Sequence, residues 1–179
     1  MRIVAGEWRG RTIKAPRDER VRPTADRARE AWMSILQHEL PGATVVDLCA
    51  GSGALGLEAL SRGAAWCDFV EIADSAIRCV RDNVATLGAA DRCRIIRGDA
   101  VRVAQDKRHG PWDVAFADPP YNLGIAPRIA EAWLARPFSR ILGVEHEAHE
   151  ELPPGGSSRA YGGTRITIYR ADAEHLPTG

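Results

Sequence analysis

Residues 47–56 read DLCAGSGALG and indicate which class of fold to expect. They hold the spacing G-x-G-x-x-G, with glycines at positions 51, 53 and 56, between an apolar run typical of a strand and a segment with helical periodicity. Glycines at a strand–turn–helix junction let the backbone approach a ligand closely. The stretch therefore predicts a ligand-binding turn in an α/β domain, although glycines that serve only the turn and helix packing would give the same spacing.

Short apolar runs and helical patterns alternate along the rest of the chain. A first helix is predicted over residues 24–39, with Thr24 as its N-cap. Strands then alternate with helices in the order 44–48, 55–61, 67–71, 75–87, 94–97, 100–107, 113–117, 125–135 and 140–145. Such βαβ units form a parallel, doubly wound sheet. The last two strands, 158–161 and 165–170, have only a Gly-Gly turn between them and predict a C-terminal antiparallel hairpin at the edge.

The charges are balanced over the whole chain but not along it. Lys and Arg number 24, as do Asp and Glu, so the net charge gives no sign of a nucleic-acid or membrane partner. Residues 1–30, however, hold nine basic side chains against five acidic ones. Residues 2–5 and 11–15 flank two glycines and predict a short hairpin with a basic outer face. We therefore expect a basic N-terminal β-hairpin extension over residues 1–22 and one α/β domain over residues 23–179.

Composition also limits the cellular setting. The 179 residues, of which 45% are hydrophobic, suffice for one core of ordinary size. The four cysteines lack the spacing of a zinc or redox motif, so they predict free thiols in a reducing compartment. No apolar segment approaches the roughly 18–20 residues that cross a bilayer, and no apolar leader is present. We expect a cytoplasmic monomer that uses neither a metal nor a membrane.

Carboxylates stand near the ends of the first three predicted strands. Glu71 lies 20 residues after Gly51, where a carboxylate can accept hydrogen bonds from both hydroxyls of a ribose. Asp47 would repel a pyrophosphate and attract an ammonium group. Asp99 is placed to accept from the exocyclic amine of an adenine. The three acids together suit S-adenosylmethionine better than NAD, although each alone could be a helix N-cap.

The most specific pattern is Asp118-Pro119-Pro120-Tyr121, directly after the apolar run 114–117. Two consecutive prolines stiffen the chain and donate no backbone hydrogen bonds. They leave the Asp118 carboxylate and the Pro119 carbonyl as fixed acceptors, which suits a flat amine with two N–H groups. The ring of Tyr121 offers a surface on which a base can stack. The pattern therefore favours chemistry on the amino group of a base.

These motifs, in this order, resemble the class I S-adenosylmethionine-dependent methyltransferases that modify exocyclic amino groups. Within that class, three stretches closely resemble the RsmD family: RPTADRARE at 22–30, DLCAGSGALGLEALSRGA at 47–64, and RIVAG at 2–6 with the following Gly10-Arg11. The specific motifs span residues 1–122, and the remainder is similar in topology. Cys49 and Trp32 stand where the family usually carries phenylalanine, which affects packing near the cofactor.

The resemblance implies a Rossmann-like class I methyltransferase that uses S-adenosylmethionine and methylates N2 of a guanine in 16S ribosomal RNA. The implied partner is the small ribosomal subunit, assembled or partly assembled. Catalytic roles are predicted for Asp118, Pro119, Pro120 and Tyr121. Cofactor contacts are predicted at Arg22, Thr24, Asp47, Ala50, Gly51, Gly53, Glu71, Asp99, Ala100 and Asp118. RNA contacts are predicted at Arg9, Arg11, Lys14 and Arg29, mostly in the basic hairpin.

Three other functions are compatible with parts of the sequence. An adenine-N6 methyltransferase acting on DNA or RNA would use the same motif, because the motif selects an amino group and not a base. A nicotinamide-dependent oxidoreductase is disfavoured by Asp47, and a non-catalytic RNA-binding module is disfavoured by the Asp118 motif.

Residues 145–151, EHEAHEE, resemble the metal-binding H-E-x-x-H. They are one residue short and lack a helical pattern, so we expect a strand end and a solvated loop there.

Overall fold

The computed structural model describes residues 1–16 and 23–172, with side chains described from residue 27 onward in the second range. Helices span α1 Pro23–Leu36, α2 Ala54–Ser61, α3 Asp74–Leu87, α4 Ala100–Gln105 and α5 Ile125–Ala135, with one short 3₁₀ turn at Ala90–Arg92. Strands span β1 Thr44–Asp47, β2 Trp66–Glu71, β3 Cys93–Arg97, β4 Trp112–Ala117, β5 Ser139–Glu147, β6 Ser157–Tyr161 and β7 Thr164–Arg170. The predicted order of elements is confirmed. The predicted N-cap side chain of Thr24 lies outside the described residues.

All seven strands form one sheet in the order β3-β2-β1-β4-β5-β7-β6. The pairs among β1 to β5 are parallel, because helices connect these strands and return the chain to the same edge. β7 lies antiparallel between β5 and β6, since only a tight turn joins it to β6. The predicted doubly wound sheet with a C-terminal antiparallel hairpin is therefore confirmed.

Two apolar layers cover the sheet, one on each face. Successive residues of a strand point to opposite faces, so Val45 joins the layer under α1, α2 and α3, and Val46 joins the layer under α4 and α5. The same alternation in β4 gives Phe116 to the first layer and Ala115 to the second. Because both faces are covered, polar side chains reach solvent mainly at the two edges where the strands begin and end.

The N-terminal segment, residues 1–16, packs on the first layer through Ile3, Trp8 and Ile13, which are all buried. The backbone N–H groups of Val4 and Ala5 donate to the carboxylate of Glu58, which is itself buried in α2. The strand pairing of the predicted hairpin is shorter than expected. It forms a single antiparallel bridge between residues 2 and 12, because its backbone bonds are divided between its own arms and α2.

We expect Gly143→Ala to destabilise the fold, because Gly143 lies in β5 directly against the Trp32 ring. An added Cβ would stand 2.6 Å from Trp32 Cη2 and 2.9 Å from Ile168 Cδ1. Trp32 is fully buried and packs edge-on against Phe116, with ring centroids 5.3 Å apart, so it has no room to move. The free energy of unfolding in urea should fall by about 1–3 kcal/mol.

Gly163→Ala is the matched control, since a Cβ at that turn position meets nothing within 4 Å. Its free energy of unfolding should stay within about 0.5 kcal/mol of wild type. An equal loss at both positions would contradict the packing argument.

Candidate active site

The candidate site lies where the connections of the sheet change direction. The chain proceeds from β1 outward to β2 and β3, then returns to place β4 on the other side of β1. In open α/β sheets, ligands bind in the crevice that opens at the carboxyl ends of the two strands flanking such a switch point. Asp47 ends β1 and Asp118 directly follows β4, so the two carboxylates face this crevice.

A cavity of about 120 Å³ opens at this point. Its lining residues include the acids Asp47, Asp118 and Glu145, the basic residue Arg29 and residues of the glycine turn. Cys49 lies beside them, and burial together with the neighbouring acids raises the pKa of its thiol. The thiol therefore stays protonated and adds no negative charge.

Two glycines shape this turn, one through its backbone conformation and the other through its close contact with the sheet. Gly53, the residue before α2, has φ +80°, a conformation that favours glycine. Gly56 lies in the first turn of α2, where an added Cβ would stand 2.6 Å from Cys67 Sγ in β2. The helix can therefore pack tightly on the sheet only with glycine at position 56. This packing holds the turn at the mouth of the crevice.

Asp47 is buried, with 1% of its surface exposed, and is only partly hydrogen-bonded. Its Oδ2 accepts from Gly56 N–H at 3.2 Å, while its Oδ1 is buried and has no hydrogen-bond partner among the residues that the structure describes. Burial, with a smaller contribution from the charge of Glu71, raises its pKa to about 7. A buried acceptor without a donor is costly, so the site favours a ligand that supplies a positively charged donor.

Glu71 and Asp99 stand farther along the same edge, outside the lining of this cavity. Glu71 accepts from Gly51 N–H at 2.8 Å and from the N–H groups of residues 72 and 73. Asp99 is the N-cap of α4, because its Oδ1 accepts from Arg102 N–H at 2.9 Å. Both acids thus have structural roles, and each carboxylate has further lone pairs with which it can accept from a ligand. Ala100 follows as the first residue of α4.

The Asp118 motif forms a stiff corner after β4. Asp118 and Pro120 are exposed, and Pro119 between them is buried. The Tyr121 hydroxyl donates to Glu145 Oε1 at 3.2 Å and shares a hydrogen bond with the hydroxyl of Thr164. Burial raises the pKa of Tyr121 to about 12, so the phenol stays neutral. The tyrosine is therefore tied to β5 and β7 at its hydroxyl end.

Glu145 is a site residue that the sequence analysis missed. It was expected in a strand end leading to a solvated loop, but it lies inside β5 with 7% of its surface exposed, and His146 is buried as well. The reason is that β5 runs between β4 and β7 and is covered on both faces. The sequence did carry a signal for this residue, because Glu145 ends a fifth apolar run just as acids stand near the ends of the first four.

The predicted RNA-binding residues occupy different settings. Arg9 is exposed, Arg11 donates to the Thr86 carbonyl at 2.7 Å, and Lys14 pairs with Asp82 at 3.0 Å. Arg29 is instead buried, with 7% of its surface exposed, and it lines the cavity. Its role in RNA binding stays a prediction. The predicted cofactor contact Arg22 lies outside the described residues.

The exposed tip of the N-terminal segment lies toward the opposite edge of the sheet from the cavity. Glu7 N–H donates to the carbonyl of Ser61, the last residue of α2. Arg92, which directly precedes β3, lies over the Trp8 ring at 4.7 Å. Because α2 starts at the crevice and has eight residues, the tip is about 12 Å from it along that helix.

A larger cavity of about 300 Å³ lies between α1 and the β6–β7 hairpin. It is lined by isoleucines and arginines and by none of the carboxylates at the strand ends, so we place the site at the switch point.

Within residues 1–16 and 23–172, no group of three or more His, Cys, Asp and Glu side chains is arranged to hold a metal ion. None of the helices in these two ranges has the length and apolarity to cross a membrane.

The strand order, the glycine turn at the switch point and the acids along one edge define a class I methyltransferase that uses S-adenosylmethionine. Solved structures share this fold over nearly the whole chain. The protein yhhF of Escherichia coli superposes with a TM-score of 0.84 at 31% identity, covering 97% of this chain and 98% of that chain. TTHA0928 of Thermus thermophilus superposes with a TM-score of 0.80 at 28% identity, covering 96% and 99%.

Sequence comparison identifies the family. The family described as Conserved hypothetical protein 95 matches residues 1–169. Ribosomal RNA small subunit methyltransferase D of Escherichia coli strain K12 is 35% identical over 158 residues, which cover 86% of this chain and 78% of that protein. YlbH of Bacillus subtilis is 33% identical over 181 residues, covering 95% and 98%. The chain therefore belongs to the RsmD family.

We expect Asp47→Asn to change how stability depends on pH. In the unfolded chain an aspartate loses its proton near pH 3.8, whereas Asp47 in the folded protein does so at about pH 7. Between these values the folded state binds the proton more tightly, so wild-type stability falls as pH rises. The variant lacks this pH dependence. Its free energy of unfolding relative to that of wild type should therefore increase as the pH rises from about 4 to about 7, and should stay constant at higher pH. Urea unfolding at several pH values measures the difference, and a difference independent of pH would contradict the assignment.

Proposed function

We propose that the protein transfers the methyl group of S-adenosylmethionine to the exocyclic N2 amine of a guanine in 16S ribosomal RNA. The observation that carries the proposal is that Asp47 and Asp118 line one cavity at the switch point. A cation-binding acid and an amine-binding corner thus adjoin each other. The relative from Escherichia coli, named as a ribosomal RNA small subunit methyltransferase, supports rRNA as the substrate class.

The cofactor site is supported by charge complementarity. S-adenosylmethionine, when bound, supplies a methyl group on a positively charged sulfur, and it also carries an ammonium group. Asp47 Oδ1 is buried and accepts no hydrogen bond from the described part of the chain, so it fits that ammonium. Glu71 would accept from the ribose hydroxyls and Asp99 from the adenine amine. Backbone groups of the turn and of the α4 start would complete the site at Ala50, Gly51, Gly53 and Ala100.

The amine site follows from the Asp118 corner. The Asp118 carboxylate and the Pro119 carbonyl would accept the two N–H groups of the target amine and turn its nitrogen lone pair toward the methyl group. Holding the nitrogen in line with the methyl–sulfur bond is a proximity effect. The same two acceptors stabilise the positive charge that develops on the nitrogen. The proton released from the methylated nitrogen passes to Asp118 or to water, and Pro120 and Tyr121 keep the corner rigid.

An extended RNA surface is supported by the position of the N-terminal segment. The target guanine must leave its stack to reach Asp118, while Arg9 and Arg11 lie toward the other end of α2. RNA that meets both must run along this face of the domain for about 12 Å. A folded RNA in an assembled or partly assembled small subunit offers such a surface. We treat residues 1–22 as an extension of the domain 23–179 that adds this contact, and we expect the protein to act as a cytoplasmic monomer.

Labelled S-adenosylmethionine tests the substrate. It is supplied with small ribosomal subunits, naked 16S rRNA, DNA or protein, and the labelled nucleoside is identified by mass. We expect N2-methylguanosine, formed faster in the subunits than in naked RNA. Label in N6-methyladenine would contradict the guanine assignment, and equal rates on naked RNA would contradict the assembled substrate.

In the same assay, Asp118→Ala should lower turnover at least about 100-fold, because the amine loses a charged acceptor at the reacting nitrogen. Binding of S-adenosylmethionine, measured by calorimetry, should persist. Asp91→Ala, which removes an exposed acid from the turn before β3, is the control and should keep wild-type turnover. Wild-type turnover in Asp118→Ala would exclude this mechanism.

Arg9→Glu combined with Arg11→Glu should weaken RNA binding and reduce its dependence on salt. Each lost phosphate contact lowers the slope of log K against log salt by about one. Lys107→Glu with Arg108→Glu gives the same charge change after α4, on the opposite face of the sheet, and should leave the slope unchanged. If the two double variants have equal slopes, the N-terminal segment is not part of the interface.

A further inference from the structure

We propose that Glu145 selects guanine over adenine by accepting a hydrogen bond from N1–H of the target base, beside the N2 amine held at Asp118. This inference rests on the proposed function, since it names how the same site recognises its base. The Asp118 motif alone selects an amino group, so a second group must distinguish the bases.

The register of the sheet places Glu145 next to Asp118. Ala117, the last residue of β4, pairs with Val144 in β5, so Asp118 directly follows β4 beside Glu145 of the adjacent parallel strand. Such strands lie about 4.8 Å apart, and paired residues point to the same face. Both residues line the same cavity. A planar base whose amine reaches Asp118 therefore presents its adjoining ring nitrogen toward Glu145.

The Glu145 carboxylate is held in a fixed orientation. Trp32 Nε1–H donates to its Oε2 at 3.3 Å, and the Tyr121 hydroxyl donates to its Oε1 at 3.2 Å. The Thr164 hydroxyl lies 3.4 Å from the same Oε1, but its one proton serves the hydrogen bond with the Tyr121 hydroxyl. A carboxylate has about four acceptor positions, so capacity remains for one more donor from the cavity. Burial raises the pKa of Glu145, and a donor supplied by the base would favour its charged form.

Guanine and adenine differ at the ring nitrogen that faces this carboxylate. In guanine, N1 carries a hydrogen and adjoins the N2 amine, so both donors point along one edge of the base. In adenine, N1 has a bare lone pair beside the N6 amine. With its amine at Asp118, adenine would set that lone pair against the Glu145 carboxylate, leaving a buried acceptor opposite another acceptor. An unsatisfied buried pair of this kind strongly disfavours the wrong substrate.

The test removes the donor at N1 of the target base, together with the O6 carbonyl, and reads the contribution of Glu145 from the change in preference that Glu145→Gln causes. The methylated position is first mapped, and small subunits are then reconstituted with 16S rRNA that carries guanine or 2-aminopurine there. 2-Aminopurine keeps the N2 amine but has a bare N1. Wild type should prefer guanine in kcat/KM, and Glu145→Gln should reduce that preference by roughly 10- to 100-fold. The glutamine amide can rotate and donate to the bare N1.

A purely structural role for Glu145 would lower both rates together and leave their ratio unchanged, which would overturn the proposal. Glu58→Gln is the control: Glu58 is also buried but holds the N-terminal segment, so its loss should lower stability without altering the ratio. If Glu145→Gln does not fold, wild type still tests the proposal, because equal rates on the two bases would overturn it. Failure of wild type to methylate any guanine N2 would instead refute the proposed function itself.

Discussion

Parallel strands joined by helices all end at the same edge of their sheet, and the chemistry of this protein depends on that constraint. Asp47, Glu71, Asp99, Asp118 and Glu145 are far apart in the sequence but lie at or near the carboxyl ends of β1 to β5. Both faces of the sheet are covered by apolar layers, so this edge is where polar groups can meet a ligand. The switch point between β1 and β4 then opens the crevice in which the first and fourth of these acids meet.

The zero net charge of the chain is the sum of two regions with opposite character. Acids gather at the carboxyl edge, where an ammonium group and a target amine would be bound. Exposed basic side chains of the N-terminal segment lie toward the far end of α2, away from the acids that would bind the positively charged groups. The Glu58 carboxylate joins the two regions, because it anchors the backbone of Val4 and Ala5 on α2. A small domain can therefore present one sign to the reacting groups and the other to a phosphate backbone.

Periodicity and turn residues were enough to predict the order of elements, because each helix and strand of the central sheet carries a clear local pattern. They were also enough to place Asp47, Glu71, Asp99 and Asp118 along one edge. They could not predict that Arg29 turns inward to the cavity, since that depends on how α1 packs across the sheet. Glu145 was missed for a similar reason: its burial comes from β7, a strand that joins the sheet about 20 residues later in the chain.

The acids that would bind the cation and those that would bind the amine form one electrostatic unit. Among the residues that the structure describes, Asp47, Asp118 and Glu145 share the cavity lining with one basic residue, Arg29. Burial raises the pKa values of Asp47 and Glu145, so near neutral pH these carboxyls hold protons more readily than exposed acids do. A nearby positive charge favours the carboxylate form, whereas a neutral base brings no such charge. The charge of a bound cation would therefore favour the carboxylate forms that the proposed target base needs as acceptors, which gives a physical reason for the two proposed binding functions to share one cavity.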